Sequence, residues 1–372
     1  MTRIPISVAN QNLLWAKSGG RCEYEGCNEV LYTDKLTKKD YNTAYIAHIV
    51  ANSPDGPRGD AIRSPLLANN ISNLMLLCDK HHRLIDKDVE GHPESRLLKM
   101  KRNHEERITR QTAIAPNKCT EIILYGANIG HHASPLSYRT ACEALCPDYY
   151  PVGNQAIEIG LANSSFTDDE DTYWTIEEKN LCRHIEQQIV IPIRNGEYKH
   201  YSIFALAPQP LLIKLGTLMN DLHAVRVFQK HREPDTWKWQ EDNTTLSFKL
   251  SQPSDYDGIP VLIIGLSATI NSDRITAVLG DKACIWHLSI EDPSNDCIRN
   301  EHILSKFRSM IRYVFDKIKS YHHCNELHIF PAMPVSAAIE FGRVWMPKAD
   351  MPMVIYDQNK KKGGFYKTIT IN

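Results

Sequence analysis

The sequence predicts a two-part chain: an α/β domain makes up the larger C-terminal part, and a small N-terminal domain stapled by a metal ion precedes it. Three observations carry this. Short β-branched runs alternate with helical patterns from about residue 119 onward. Cysteines and histidines gather in two close pairs near the N-terminus. Between these regions, Gln111 to Lys118, with Pro116 and Asn117, has the polar, turn-rich composition of a linker. The expected divisions are therefore 1–110, 111–118 and 119–372.

At 372 residues the chain is too long for one ordinary core. No run of about 18 apolar residues occurs, and Met1 to Asn12 lacks the charged and apolar regions of a signal peptide, so a cytoplasmic chain with no membrane partner is expected. In that compartment the ten cysteines stay reduced, so clustering among them points to metal or catalysis. The formal charge of −1 hides an asymmetry. Residues 1–118 carry 18 Lys and Arg against 14 Asp and Glu, whereas 119–372 carry 25 against 30. A mildly basic N-terminal third permits a polyanionic partner without demanding one.

Residues 7–18 read as a short helix with Val8, Leu13, Leu14 and Trp15 as its apolar positions, ended by Gly19-Gly20. Arg21 to Asp60 reads as loops and short strands. A helix is expected from Cys78 to about Lys87, and Pro93-Glu94 opens another running to about Arg110 with Leu97, Leu98 and Ile108 inward. Beyond the linker the expected strands are Ile122–Tyr125, Ile189–Ile193, Ser202–Ala207, Val225–Phe228, Val261–Leu266, Ile285–Leu288, Leu327–Phe330 and Met353–Tyr356, in a mainly parallel sheet. Ser164 to Lys179, rich in acidic residues, reads as an exposed insertion and helix start.

Compared with itself at an offset of 126 residues, the chain aligns Ile203-Phe204 with Ile329-Phe330, Pro208 with Pro334, Ile213 with Ile339 and Gly216 with Gly342. Each copy is an apolar strand, a proline-marked turn and a helix that reaches a glycine. This self-similarity predicts two related α/β halves whose proline-marked turns face one crevice, because ligands of such sheets bind where strand C-termini meet helix N-termini.

Cys22 and Cys27 form a C-x4-C pair, and Cys78 with His81 forms a C-x2-H pair some fifty residues later. Four soft or borderline donors in two close pairs suit a tetrahedral structural zinc. A small domain with few aliphatic residues between Arg21 and Asp60 needs such a staple.

Between and after these pairs lie Ala47-His48-Ile49, Gly56-Pro57-Arg58-Gly59-Asp60, Asn73-Leu74 and Cys78-Asp79-Lys80-His81-His82-Arg83-Leu84-Ile85-Asp86. In this order the residues resemble the HNH nuclease family. The resemblance implies a ββα-metal unit, with His48 as general base, Asn73 holding the His48 segment, and His82 as ligand of a catalytic divalent cation, Mg2+ or another. Histidine suits the first role because it titrates near neutral pH unaided. Where the family commonly has a metal-binding aspartate before the base, this chain has Ala47, so Asn73, Asp60, Asp86 or water completes the cation's shell. Arg58, Arg63, Lys80, Arg83, Lys99, Lys101 and Arg102 are candidate phosphate contacts.

An HNH unit followed by an α/β domain with Tyr125-Gly126-Ala127-Asn128, Ala207-Pro208-Gln209-Pro210 and Phe330-Pro331-Ala332-Met333-Pro334 resembles the HNH–SAVED effectors of bacterial CBASS antiphage systems. The resemblance implies two CARF-like Rossmann halves that sense a cyclic oligonucleotide, a double-stranded DNA substrate for the nuclease, and assembly into a homo-oligomer on activation. Stacking and phosphate binding then favour Pro208, Gln209, Lys230, Arg232, Trp237, Pro334 and Ser336 as contacts of a cyclic di- or trinucleotide. Two other readings are a restriction-like nuclease whose C-terminal domain reads DNA, and a zinc-stapled nucleic-acid-binding protein without catalysis.

Overall fold

The computed structural model describes residues 4–129, 136–160, 166–170, 172–197, 199–220, 224–322 and 326–372. The chain forms two compact units, Met1–Pro116 and Asn117–Asn372.

In the first unit α1 (Val8–Ser18) is capped by the Ser7 hydroxyl, which accepts from the Asn10 N–H, and closes on Gly19 in the left-handed conformation (φ 61°). The following loop is pinned by isolated bridges, Arg21 to Val30 and Thr33 to Asp40. β1 (Ala44–His48) leads through the short α2 (Arg63–Leu67) to β2 (Leu74–Cys78). The strands pair antiparallel, Ala44 opposite Cys78 and His48 opposite Leu74. All five β2 residues are buried, because α1 and α3 (Asp79–Lys87) pack on the strand as well as β1. α4 (Glu94–Thr112) lies against α1 and runs two residues past Arg110, into the segment read as a linker. Leu97 is fully buried, but Leu98, expected to point inward, is 40% exposed. The inward stripe of α4 continues from Leu97 through Met100, Lys101 and His104, at steps of three, four and seven, and Leu98 falls one step off it.

The second unit holds two sheets, one in each of the two halves that the internal repeat predicts. The first is built from β3 (Cys119–Gly126), α5 (Tyr138–Leu145), β4 (Tyr150–Pro151), β5 (Ile157–Ile159), α6 (Tyr173–Ile185), α7 (Ile191–Arg194), β6 (Tyr201–Leu206), α8 (Gln209–Leu218) and β7 (Val225–Val227). β4 and β5 pair with β3, β6 pairs with β3, and β7 lies beyond β6, all parallel. The second sheet is built from β8 (Lys249–Ser251), β9 (Ile259–Gly265), α9 (Asp273–Leu279), β10 (Ala283–Ser289), α10 (Glu301–Tyr321), β11 (Leu327–Ala332), α11 (Val335–Val344), β12 (Met353–Asn359) and β13 (Gly364–Ile371). Its order is β8-β10-β9-β11-β12-β13, with the inner four strands parallel and both edges antiparallel. With β4 and β5, which share one edge of β3, counted as one position, the parallel strands of each sheet, counted within their own half, stand in the order second, first, third, fourth. The repeat seen in sequence at the third strand and its helix thus extends to the topology of both halves.

Two further expectations are corrected. Ile189–Ile193 is helical, a π-turn at Glu186–Val190 that continues α6 into α7. Ile185, Ile189 and Ile193 recur every four residues, and the first two are buried, so tertiary packing selects the helical period over β-propensity. Within the acidic stretch read as exposed, Glu177 is buried on α6.

The main core takes residues from both sheets and from the helices they share. At its centre α8 crosses α11 with glycine against glycine. A Cβ on Gly216 would stand 2.0 Å from the Ile339 carbonyl oxygen, and one on Gly342 would stand 2.0 Å from the Ile213 carbonyl oxygen. The two contacts exchange equivalent residues, as self-complementary packing of two related halves requires.

Candidate functional site

Cys22, Cys27, Cys78 and His81 converge, their donor atoms all within 4.8 Å of one another. His81 Nδ1 stands 3.1 Å from Cys78 Sγ and 3.6 Å from Cys22 Sγ. A tetrahedral zinc with Zn–S near 2.3 Å separates its sulfurs by about 3.8 Å, so the set has room for one ion of that kind. Burial pushes the Cys22 and Cys78 thiols up and the His81 imidazole down, which favours the uncharged forms until a cation is present. Tyr24, unremarked in the sequence, stacks on His81 with ring centroids 4.1 Å apart and planes 3° apart, fixing the imidazole. Its position inside the C-x4-C loop was the available signal.

His48 and His82 line one open cavity of about 860 Å³ together with Asp86. His48 ends β1, and its Nε2 lies 2.9 Å from the Ala68 carbonyl oxygen at the end of α2. A carbonyl only accepts, so Nε2 carries the proton and Nδ1 holds the ring's lone pair. His82 follows ligand His81 on α3 and stacks on Tyr45, ring centroids 5.1 Å apart. Its Nε2 is 3.9 Å from Asp86 Oδ2, one helical turn on.

Asn73 does not line this cavity. It is buried, accepts at Oδ1 from the Val50 N–H (2.8 Å) and donates from Nδ2 to the Val50 carbonyl (2.8 Å), while its own carbonyl accepts from the Ile49 N–H. The segment leaving His48 is clamped by these bonds. Of the other residues considered for the cation's shell, Asp60 instead accepts from the Arg63 and Ile62 N–H groups in the turn leading into α2, which hold its carboxyl below the usual range. Asp86 remains on the cavity. Ala47 is buried in the core, on the opposite side of β1 from His48.

Two candidate phosphate contacts are internal braces. Arg58 (φ 57°) donates from Nε to the Ile49 carbonyl and from Nη1 to the Ile85 carbonyl, both 2.7 Å, tying the loop before α2 to β1 and α3. Lys101 is buried and bonds Glu105. Arg63 makes a bidentate pair with Glu94, and Arg83 bonds Asp79. The sequence could not reveal these partners, which come from other elements or from one helical turn away.

In the second unit the two proline-marked turns meet. Pro208 and Pro334 cap α8 and α11, and Gln209 Oε1 accepts from the Met333 N–H at 3.0 Å. Gln229 Oε1 accepts from the Ser336 N–H (3.1 Å) and hydroxyl (2.7 Å), so its amide oxygen occupies the position at the α11 N-terminus that an anion would favour. Lys230 pairs with Asp235, and Arg232 is exposed with its N–H on Asp296. Trp237 is a packing residue: 4% exposed, it sets its edge against Phe204 in a cluster with Ile122, Leu124 and Phe228 on the first sheet's outer side. Its face is not open for a base. The structure thus brings Pro208, Gln209, Pro334 and Ser336 together and leaves Trp237 outside them.

Two Rossmann-type halves that pack helix to helix, their proline-marked turns joined by the Gln209–Met333 hydrogen bond, define a duplicated α/β protein of the nucleotide-fold kind. Residues 181–371, just over half of the chain, match SAVED, the "SMODS-associated and fused to various effectors sensor domain". The chain belongs to this family. Among solved structures it is similar to the Cap4 SAVED/CARF-domain containing receptor of Acinetobacter baumannii. With the cyclic trinucleotide 2'3'3'-cAAA that receptor gives a TM-score of 0.44 at 13% identity, over 79% of this chain and 62% of that one. With 3'3'3'-cAAA it gives 0.42 at 12% identity and the same coverage. The Cap4 receptor of Moraxella osloensis gives 0.37 at 13% identity, over 79% and 60%. This chain therefore spans less than two thirds of those receptors. No curated protein matches it. Among the described residues no helix is long and apolar enough to cross a membrane.

Proposed function

We propose that the chain is a metal-dependent HNH endonuclease acting on double-stranded DNA, switched on by a cyclic oligonucleotide bound to its SAVED unit, in antiphage defence. The observation that carries the nuclease reading is the shared cavity of His48, His82 and Asp86, built on two antiparallel strands and a helix that the Cys/His cluster anchors one residue before His82.

The chemistry follows from this chain's residues. His48 Nδ1, its ring aimed by the Ala68 carbonyl, takes the proton of an attacking water. Asn73 keeps the backbone beyond His48 in place while this happens. His82 with Asp86 would hold a divalent cation, which supplies Lewis-acid stabilisation of charge on phosphodiester oxygens. Cys22, Cys27, Cys78 and His81 would hold a structural zinc that organises the helix carrying His82. Membership of the SAVED family, described as a sensor domain, supports the sensing half of the reading. Ligand binding at the paired turns would assemble chains and bring their nuclease units onto one duplex.

The test is plasmid cleavage with a divalent cation and a cyclic di- or trinucleotide, on protein whose zinc content is measured. One zinc per chain is expected, and cleavage that falls about 10²- to 10⁴-fold in His48→Ala with an unchanged melting profile. Fragments of one defined pattern, formed without any nucleotide, would favour a restriction-like enzyme. DNA binding without cleavage would leave a non-catalytic module.

A further inference from the structure

The loop Gly56-Pro57-Arg58-Gly59 walls the His48 cavity at Gly56 and Pro57, yet its arginine turns inward. The loop is closed on itself. The Gly56 N–H bonds the Ser53 carbonyl at 3.0 Å, and the Gly59 N–H bonds the Gly56 carbonyl at 2.9 Å. Arg58 sits in the left-handed region (φ 57°), where a residue with a Cβ persists only if its surroundings hold it there. The bonds of its guanidinium do so.

The Arg58 side chain is 6% exposed. Nε donates to the Ile49 carbonyl and Nη1 to the Ile85 carbonyl, both at 2.7 Å, and the His92 carbonyl lies 3.4 Å from Nη1. Nη2 is left over: it is buried, makes no hydrogen bond, and faces Asp86 Oδ1 at 3.7 Å. Burial pushes the guanidinium down from its ordinary range, and the charge of Asp86 opposes that shift. The other carboxylate oxygen, Asp86 Oδ2, lies 3.9 Å from His82 Nε2, on a ring stacked against Tyr45. Asp86 is thus divided between a guanidinium fixed in the interior and a histidine on the cavity. Bracing two carbonyls while presenting a further N–H group in a set direction is what the planar fork of arginine does and the single ammonium of lysine does not.

We propose that Arg58 is a positioning residue for Asp86, pinning Oδ1 so that Oδ2 and His82 stand as one donor pair for a divalent cation. The carboxylate that Ala47 does not provide then comes from α3, aimed by the loop before α2. The proposal rests on the reading of this cavity as a cation site and adds the residue that sets its geometry.

The experiment measures Mn2+ binding by calorimetry on the full chain, its Cys/His cluster filled with zinc, in wild type, Arg58→Lys, Asp86→Asn and the double variant. Asp86→Asn should weaken binding by about tenfold or more. Arg58→Lys keeps the charge but loses the fork, and it should weaken binding by about tenfold beside Asp86 and add nothing in Asp86→Asn. A brace alone acts whether or not Asp86 is present, so an equal loss from Arg58→Lys in both backgrounds overturns the proposal. So does no loss in either, or Mn2+ binding unchanged by Asp86→Asn. Should Arg58→Lys lose its zinc or its cooperative melt, the wild-type fold decides. In arginine-labelled wild type, saturating Mg2+ should shift the NMR signals of the Arg58 side-chain N–H groups, and in Asp86→Asn it should not; unmoved signals in wild type overturn the proposal. If wild type binds no Mn2+ beyond its zinc, or His82→Ala binds it equally well, the cation reading itself fails, and this proposal with it.

Discussion

The side chain of Asn73 joins both polar groups of Val50, two residues past His48, in a place water does not reach. Removing it strands a buried donor and a buried acceptor, at about 1–3 kcal/mol for each group. Asn73→Ala should therefore lower the melting temperature and the cleavage rate together, whereas His48→Ala lowers the rate alone. Thermal melting of the two proteins beside wild type checks this, and an unshifted melt for Asn73→Ala would contradict the clamp. The four cluster donors were legible in sequence because a metal demands particular residue types at short spacings. Arg58 and Trp237 were not. A buried arginine bonded to the Ile49 and Ile85 carbonyls looks, in sequence, like any surface cation, and a tryptophan packed on Phe204 looks like an open stacking platform.

At the scale of elements, the crossing of α8 and α11 fixes the relation of the two halves of the second unit. Each glycine admits the other helix's backbone so closely that a single added methyl meets a carbonyl oxygen. Overpacking of a tight core costs about 1–3 kcal/mol, and here the obstacle is backbone, which yields less than a side chain. Gly216→Ala and Gly342→Ala should each lower the denaturant midpoint of the second unit, and by similar amounts, since the contacts are reciprocal. A midpoint unchanged in either would show that the helices sit farther apart. The repeat at an offset of 126 residues exposed this pair, because glycine and proline mark backbone requirements that a chain of similar βα units must restate. What the sequence left unread is strand pairing. Alternating runs announce strands without saying which neighbour each takes, so the strand order within each half carried no signal. The isoleucines at 185, 189 and 193 follow the helical period, yet within the short run Ile189–Ile193 they read as a strand.

At the scale of the molecule, one chain joins a SAVED unit to a unit with a Cys/His cluster and a histidine-lined cavity. On the proposed reading a nuclease indifferent to sequence must be silent until needed, and the start of α11, where the Met333 and Ser336 N–H groups are met by the amide oxygens of Gln209 and Gln229, offers the place where an anionic ligand would act. To move the enzyme from 1% to 99% active, the ligand must favour the active state by about 5.5 kcal/mol, roughly 10⁴-fold in affinity. Phosphate and base contacts of a cyclic di- or trinucleotide are of the right order for that, especially when part of the gain is spent on assembling chains. The most direct test is plasmid cleavage by the intact chain with Mg2+, run alone and against a panel of cyclic di- and trinucleotides. The account predicts intact plasmid in the protein-only lane and degradation with at least one nucleotide. Cleavage of equal rate in every lane, with and without nucleotide, would contradict it.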